Sequence, residues 1–365
     1  MRHIHPLDRR WFAIILLVAV PELLAAAPKP AQRQLPAPVL VEPGPREKSI
    51  LYSDGSEREV APETVWRPMC GSDTSNLTVD DLRRIAQLAK EAAAAHPWAG
   101  PLQGGVASAQ GGFDLVFNIT TALPPGAAEA LLAVEQYLEA QFSDPVTIVI
   151  DIGFASLPAG VLGGTDNVFT NIQWTVARDG LQADMDASDT IQDFLPATST
   201  IPVRYSGASS AVTNENQVFF TKANFLAAIG SIAGSAATIT FNSNFLWDYT
   251  PPEINSGAYC FQSVAAHEVG HVLGFPSGAD FRASDIEALD IYRFQNSDGN
   301  GTDHNPDDLA EFGTTARMVD QNAPQTADDV NSDLITVEYQ MSDGIPNQAS
   351  HFSARNPGIY VMDPS

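Results

Sequence analysis

The chain has 365 residues, enough to bury the core of one large domain or of two ordinary ones. Its 44 acidic residues outnumber the 19 basic residues, which gives a formal net charge of −25 at pH 7. Proteins bind nucleic acids and anionic lipids mainly through lysine and arginine side chains. The acidic charge balance of this chain therefore excludes both as expected partners.

The N-terminus has the pattern of a secretory signal peptide. Three arginines precede the apolar run WFAIILLVAV, and Pro21 ends that run well short of the length that spans a bilayer. Small residues follow, so cleavage is predicted near Ala26 or Ala27. Residues 1–27 are therefore predicted to be removed, and the mature protein is expected to be secreted, extracellular or periplasmic, without a membrane segment. The alternative is an uncleaved N-terminal anchor.

The next segment, residues 28–69, is rich in proline, alanine and glutamate and has no sustained apolar period. This composition predicts a linker, a pro-segment or a loosely packed arm. The folded domain is expected to cover residues 70–365. Its two cysteines, Cys70 and Cys260, indicate one disulfide, because disulfides persist in the compartments that exported proteins reach.

Predicted helices and strands alternate through the domain. Residues 80–95 predict a helix, and FDLVFNIT at 113–120 predicts a strand. A second helix is predicted from apolar residues at helical spacing, namely Leu131, Val134, Leu138 and Phe142. Residues 146–154, VTIVIDIGF, alternate as a strand does. Residues 238–247, TITFNSNFLW, predict a strand with one solvent-exposed face. The order of elements indicates an α+β fold, or more generally mixed α/β, with an antiparallel or mixed sheet.

The motif HEVGH follows this strand within a mostly apolar helical pattern. His267 and His271 are four residues apart, so a helix presents both imidazoles to one ion. Glu268 points about 100° away from His267 around the helix, which suits a group that contacts water beside the metal. Gly274 provides the backbone freedom that ends a helix and turns the chain.

A catalytic zinc ion usually has three protein ligands, so a third ligand is expected. Outside this helix and the signal peptide, the chain has three histidines, His96, His304 and His351. Carboxylates also bind zinc, and two candidates follow the helix: Asp280, and Glu287 on a helix predicted at 283–294. These residues alone leave the alternatives open.

The sequence HEVGHVLGF resembles the HExxHxxGxxH motif of the metzincin zinc proteases, with Ser277 at the position of the family's third histidine. Leishmanolysin-like metzincins have that histidine far downstream, after an insertion and shortly before the methionine of the Met-turn. The C-terminal ASHFSARNPGIYVMDPS is similar, because Met362 follows His351 closely. The chain also resembles secreted bacterial metalloproteases that share LGF at the helix end and MDP at the Met-turn.

The resemblance implies a metzincin-like zinc protease domain with an insertion at about 278–350 between the second and third ligands. It implies His351 as the third zinc ligand, with Asp280 as the second choice, and Met362 as an apolar floor beneath the metal. It also implies Glu268 as the general base. The strand at 238–247 is expected to form the sheet edge along which an extended peptide substrate pairs.

Two further patterns are weaker. An acidic, glycine-containing loop has the oxygen-rich composition that calcium accepts, through Asp298, Asn300 and Asp303, but an acidic solvated turn is favoured because the full twelve-residue calcium loop with its terminal glutamate is lacking. The residues around Cys70, RPMCGSD, are similar to the cysteine switch of matrix metalloproteases, in which a pro-segment thiolate binds the zinc. The disulfide is favoured over the switch, because the switch leaves Cys260 unpaired.

The expected function is therefore a secreted zinc endopeptidase that hydrolyses peptide or protein substrates. The alternative is a non-catalytic secreted binding or surface protein with a structural or degenerate metal site.

Overall fold

The computed structural model describes residues 112–320 apart from 143, 159–160, 186–190, 208–209, 251–254, 256, 281–284 and 296–303. It also describes the backbone of three strands at 47–52, 57–60 and 326–327. Within these residues, no helix is both long and apolar enough to cross a membrane. The signal peptide and the helix predicted at 80–95 lie outside the described residues.

The strands, in chain order, are β1 (Glu47–Tyr52), β2 (Glu57–Val60), β3 (Asp114–Ile119), β4 (Thr147–Ala155), β5 (Val161–Asn167), β6 (Phe169–Gln173), β7 (Ile201–Arg204), β8 (Thr213–Glu215), β9 (Gln217–Thr221), β10 (Ala237–Asn242), β11 (Trp247–Asp248), β12 (Tyr259–Cys260), β13 (Arg293–Phe294), β14 (Arg317–Met318) and β15 (Thr326–Ala327). The α-helices are α1 (Ala127–Glu139), α2 (Trp174–Asp184), α3 (Lys222–Ala228), α4 (Phe261–Val272) and α5 (Leu309–Phe312). Short 3-10 helices span Ile191–Phe194, Gly278–Asp280 and Leu289–Tyr292.

The main sheet has six strands in the order β2-β1-β5-β10-β4-β3. β3, β4 and β10 run parallel to one another, whereas β5 is antiparallel to β10, and β1 is antiparallel to β5. Some helices pack against this mixed sheet. Other helices belong to a second hydrophobic core, which is described below. The general prediction of a mixed α/β, α+β fold is confirmed, and the metzincin-like architecture stays a prediction.

The strand predicted at 238–247 corresponds to β10 only as far as Asn242, because a turn follows and Trp247 begins β11. β10 lies inside the sheet. It pairs with β4 on one side and with β5 on the other, so the prediction of a sheet edge there is wrong. The predicted alternation of buried and more exposed side chains is confirmed within β10, because Ile239 and Phe241 are fully buried while Thr240 is half-buried. Periodicity reports which face of a strand is buried, but not how many neighbours its main chain has.

Three elements predicted from periodicity are confirmed. β3 lies within its predicted range, and β4 is shifted by one residue from its predicted range. Helix α1 buries Leu131, Val134 and Leu138 along one stripe. Phe142 lies beyond the helix end and is also buried, with its ring edge-on to Phe113 at a centroid distance of 5.2 Å.

The segment predicted as a linker or pro-segment contains a β-hairpin. β1 and β2 pair with each other, and β1 continues the main sheet beside β5. In this register, Ser49 lies opposite Thr165 and Leu51 lies opposite Gly163. Main-chain hydrogen bonds join the strands, and they need no apolar period in the sequence. Residues 47–52 and 57–60 are thus strands of the main sheet, and the division into a linker or pro-segment and a folded domain stays a prediction.

A second hydrophobic core combines residues of 172–228 with residues of 279–319. Its large, fully buried side chains include Trp174, Phe220, Phe225, Phe294 and Phe312. The described part of the predicted insertion thus packs into one core with an earlier part of the chain.

The prediction of a helix at 283–294 is wrong for the described residues of that range, which include a 3-10 helix followed by β13. The Asp290 carboxylate accepts hydrogen bonds from the backbone N–H groups of Gly278 and Glu287, at 2.8 and 3.0 Å. Aspartate side chains that bind nearby backbone in this way compete with regular helical hydrogen bonding.

Candidate metal centre

Helix α4 carries the HEVGH motif and is buried on its apolar side. Phe261, Val264, Ala265, Val269 and Val272 belong to the main core, and the helix packs against β5 and α1. An apolar helix that is covered on two sides holds its polar residues in fixed positions. The burial of this helix was expected from its apolar residues, and it is confirmed.

Gly274 ends the helix as predicted. Its φ is +122°, a conformation that residues with a Cβ rarely adopt. A Cβ at this position would also collide with the side chain of Asn224, which donates a hydrogen bond from Nδ2 to the carbonyl oxygen of Leu273 at 3.1 Å. Asn224 belongs to α3, so this contact joins the end of the motif helix to the second core.

His267 and His271 bring their imidazoles together one helical turn apart. Their Nε2 atoms are 3.1 Å apart, and their ring centroids are 4.8 Å apart. His271 is fully buried, and its Nδ1 lies 3.3 Å from the carbonyl oxygen of Phe275. Because a carbonyl oxygen only accepts, this contact places the ring proton on Nδ1, and Nε2 then directs its lone pair toward His267.

This pair of nitrogens fits a zinc ion. Two nitrogens bound to tetrahedral zinc at about 2.0–2.1 Å lie about 3.3 Å from each other. The observed separation of 3.1 Å is close to that value. The hydrogen bond from His271 to a backbone carbonyl is also the kind of contact that orients a metal-binding histidine. Both Nε2 atoms are therefore suited to bind the same ion.

Glu268, next to His267 on the helix, has its carboxylate in contact with β5. Its side chain is fully buried, and its Oε2 accepts a hydrogen bond of 2.5 Å from Thr165 Oγ1. A Cβ on Gly163 would lie 3.3 Å from Oε1, tighter than nine in ten real Cβ contacts. The carboxylate therefore occupies room that the missing side chain of Gly163 leaves.

Three alternate residues of β5 support α4, and none of them is predicted from the sequence as part of the site. Gly163, Thr165 and Asn167 lie on one face of the strand, since side chains two residues apart point the same way. Asn167 Nδ2 donates to the carbonyl oxygen of His271 at 3.3 Å. The sequence VLGGTDN does have these residues at a spacing of two, which is the period of a strand. Glycine, aspartate and asparagine are depleted in strands, so this segment does not resemble one.

Ser277 stands where the shorter metzincin motif has a histidine, and it has a different role. The residue is fully buried, and its Oγ donates to Asp290 Oδ1 at 2.6 Å. Arg293 Nε donates to the same oxygen at 3.2 Å, in an ion pair whose side chains are both fully buried. Burial raises the pKa of Asp290, and Arg293 opposes that rise. Ser277 thus anchors the second core.

Within the described residues, the structure brings no third ligand to the histidine pair. Among the described residues, no group of three or more His, Cys, Asp or Glu side chains could hold a metal. Of the alternatives, Glu287 is buried in a strand bridge opposite Phe219, and neither it nor His304 belongs to such a group.

The remaining site predictions lie outside the described residues: His351, Met362 and the calcium candidates Asp298, Asn300 and Asp303. Only the backbone of Asp280 is described, at the end of a 3-10 helix. Cys260 has no disulfide partner within the part of the chain that the structure describes, and its sulfur accepts a hydrogen bond of 3.2 Å from Ser263 Oγ. Cys70 lies outside the described residues, so its pairing with Cys260 stays a prediction.

No protein-family model matches this chain, and neither a curated protein nor a solved structure matches it. The interpretation of the site therefore depends on its own residues.

Proposed function

We propose that this protein is a secreted zinc-dependent endopeptidase with zinc bound by His267, His271 and His351. The observation that carries the proposal is the geometry of one buried helix. Its two imidazole Nε2 atoms converge at 3.1 Å, and the adjacent Glu268 is fully buried with its carboxylate held by a hydrogen bond. Burial of histidine and glutamate side chains is costly unless they are hydrogen-bonded, paired with an opposite charge or bound to a metal.

Each group has a defined part in hydrolysis. Bound zinc would supply Lewis acidity that polarises the scissile carbonyl and makes water more acidic. Glu268 accepts the proton from the attacking water and passes it to the nitrogen of the leaving amine. The Phe275 carbonyl accepts from Nδ1 of His271, which leaves the Nε2 lone pair of that ring for the ion.

The main rival is a non-catalytic binding or surface protein with a structural or degenerate metal site. Structural zinc sites are usually closed by four ligands, often cysteines, and this chain has only two cysteines.

Metal analysis and cleavage assays on the purified, full-length secreted protein distinguish the peptidase from the non-catalytic protein. We expect about one zinc ion per chain by elemental analysis, and cleavage of casein or gelatin that a chelator abolishes and added zinc restores. His267→Ala should lose both the metal and the activity. Zinc at the same stoichiometry without any cleavage would instead favour the structural site, and cleavage that survives complete removal of the metal would contradict a zinc peptidase.

A second set of variants identifies the third ligand. We expect His351→Ala to lose zinc affinity about as severely as His267→Ala, because each removes one of three imidazoles, whereas Asp280→Ala keeps the metal. Zinc content after dialysis against a competing chelator measures the difference. His304→Ala is the matched control, since this half-buried histidine is not grouped with the pair. A reversal, with the metal lost in Asp280→Ala and kept in His351→Ala, would make Asp280 the ligand.

A further inference from the structure

We infer that Thr165 is a positioning residue that fixes the Glu268 carboxylate for proton transfer. The inference rests on the proposed function, since it gives Glu268 the role of the base. It comes from β5, a strand that contains no part of the HEVGH motif.

The contact is short, buried and between two fixed elements. Thr165 and Glu268 are both fully buried, and Thr165 Oγ1 lies 2.5 Å from Glu268 Oε2. The same hydroxyl lies 3.2 Å from the backbone oxygen of Glu268. Hydrogen bonds from a hydroxyl to a carboxylate in this distance range are among the stronger ones in proteins. Threonine is stiff at χ1, so the donor keeps its direction.

The neighbouring residues of β5 leave Glu268 little other freedom. Gly163 provides the space for Oε1, and Asn167 holds the last turn of α4 through the carbonyl oxygen of His271. The helix therefore cannot easily rotate or slide relative to the strand, and the Thr165 hydroxyl sets the orientation of the carboxylate. Catalytic groups need this kind of support, because small displacements from the productive geometry lower the rate strongly.

The direct test replaces the hydroxyl by a methyl group in the zinc-loaded, full-length protein. We expect Thr165→Val to lower kcat by about 10- to 100-fold while KM and zinc content stay close to wild type. Thr165→Ser, which keeps the donor, should restore most of kcat. In a Glu268→Gln background, Thr165→Val should cause little further loss, since the two residues act as a unit.

Thr170→Val is the matched control. Thr170 is another buried threonine on a strand, but its Oγ1 has no hydrogen-bond partner among the described residues. This variant should keep wild-type kcat. If Thr165→Val does not fold, Thr165→Ala and Thr165→Ser form a second pair that also differs by the hydroxyl.

A spectroscopic readout makes the test independent of peptidase activity. In the cobalt-substituted protein, we expect Thr165→Val to shift the visible absorption bands in the direction that Glu268→Gln shifts them, while Thr165→Ser leaves them unchanged. The same shifts in a protein without peptidase activity would support the contact and reject the proposed function. Unchanged bands and unchanged kcat in Thr165→Val would overturn the inference, and so would loss of the metal in that variant, which indicates a structural role.

Discussion

Glu268→Gln is expected to keep its zinc and to lower kcat for peptide hydrolysis by about 10²- to 10⁴-fold, the usual contribution of a general base. Glutamine has nearly the same shape, and its side-chain oxygen still accepts the hydrogen bond from Thr165 Oγ1. It cannot take a proton from water at neutral pH. Steady-state kinetics on a peptide substrate, together with zinc content, measures the effect.

Glu135→Gln is the control for this loss. Glu135 is a glutamate of α1 outside the motif, and burial, together with nearby Glu139 and Asp114, raises its pKa to about 7. Its replacement should leave kcat within a factor of about two. Turnover by zinc-loaded Glu268→Gln above about a tenth of the wild-type rate would rule out Glu268 as the base, because general base catalysis contributes at least about 100-fold.

The largest effect on stability is expected at Asp290. Asp290→Ala removes the acceptor of hydrogen bonds from Ser277, Gly278, Glu287 and Arg293, the last of them a buried cation. Breaking a buried ion pair by removing one partner costs about 3–5 kcal/mol. Urea unfolding of chelator-treated protein measures the difference without a contribution from bound metal.

Asp179→Ala is the control, because its ion pair with Arg178 is shorter but exposed. That pair is 2.7 Å long, and its side chains are 16% and 50% exposed, whereas the Asp290–Arg293 pair is 3.2 Å long with both side chains fully buried. Exposed pairs contribute about 0–1 kcal/mol, because water and salt screen them. Equal losses of stability in the two variants would show that burial does not govern the strength of the Asp290 network.

Elements with a strong local pattern could be predicted from the sequence. Helix α4 and its two histidines follow from apolar periodicity and from a spacing of four residues, and α1, β3 and β4 follow from periodicity alone. β5 could not be predicted in this way. Gly163, Asp166 and Asn167 are poor strand formers, and the strand exists because β10 and β1 pair with it from distant parts of the chain.

The role of Ser277 also could not be predicted from the local sequence. The sequence revealed that a histidine is missing there, but not what the serine does instead. Its partner Asp290 is 13 residues further on, and only the packing of the second core brings the two together. Asp290 also turns the chain into a 3-10 helix where a longer helix was predicted, so one buried carboxylate accounts for both differences.

The hairpin of β1 and β2 has a consequence for proteolytic trimming of this protein. Because β1 pairs along β5, a chain cut after Val60 would leave β5 as the border of a four-stranded sheet, with unpaired N–H and C=O groups along it. Such a border can add a strand from another molecule, and exposed strands of this kind promote self-association. Residues 47–60 thus protect the sheet against aggregation for as long as they remain attached.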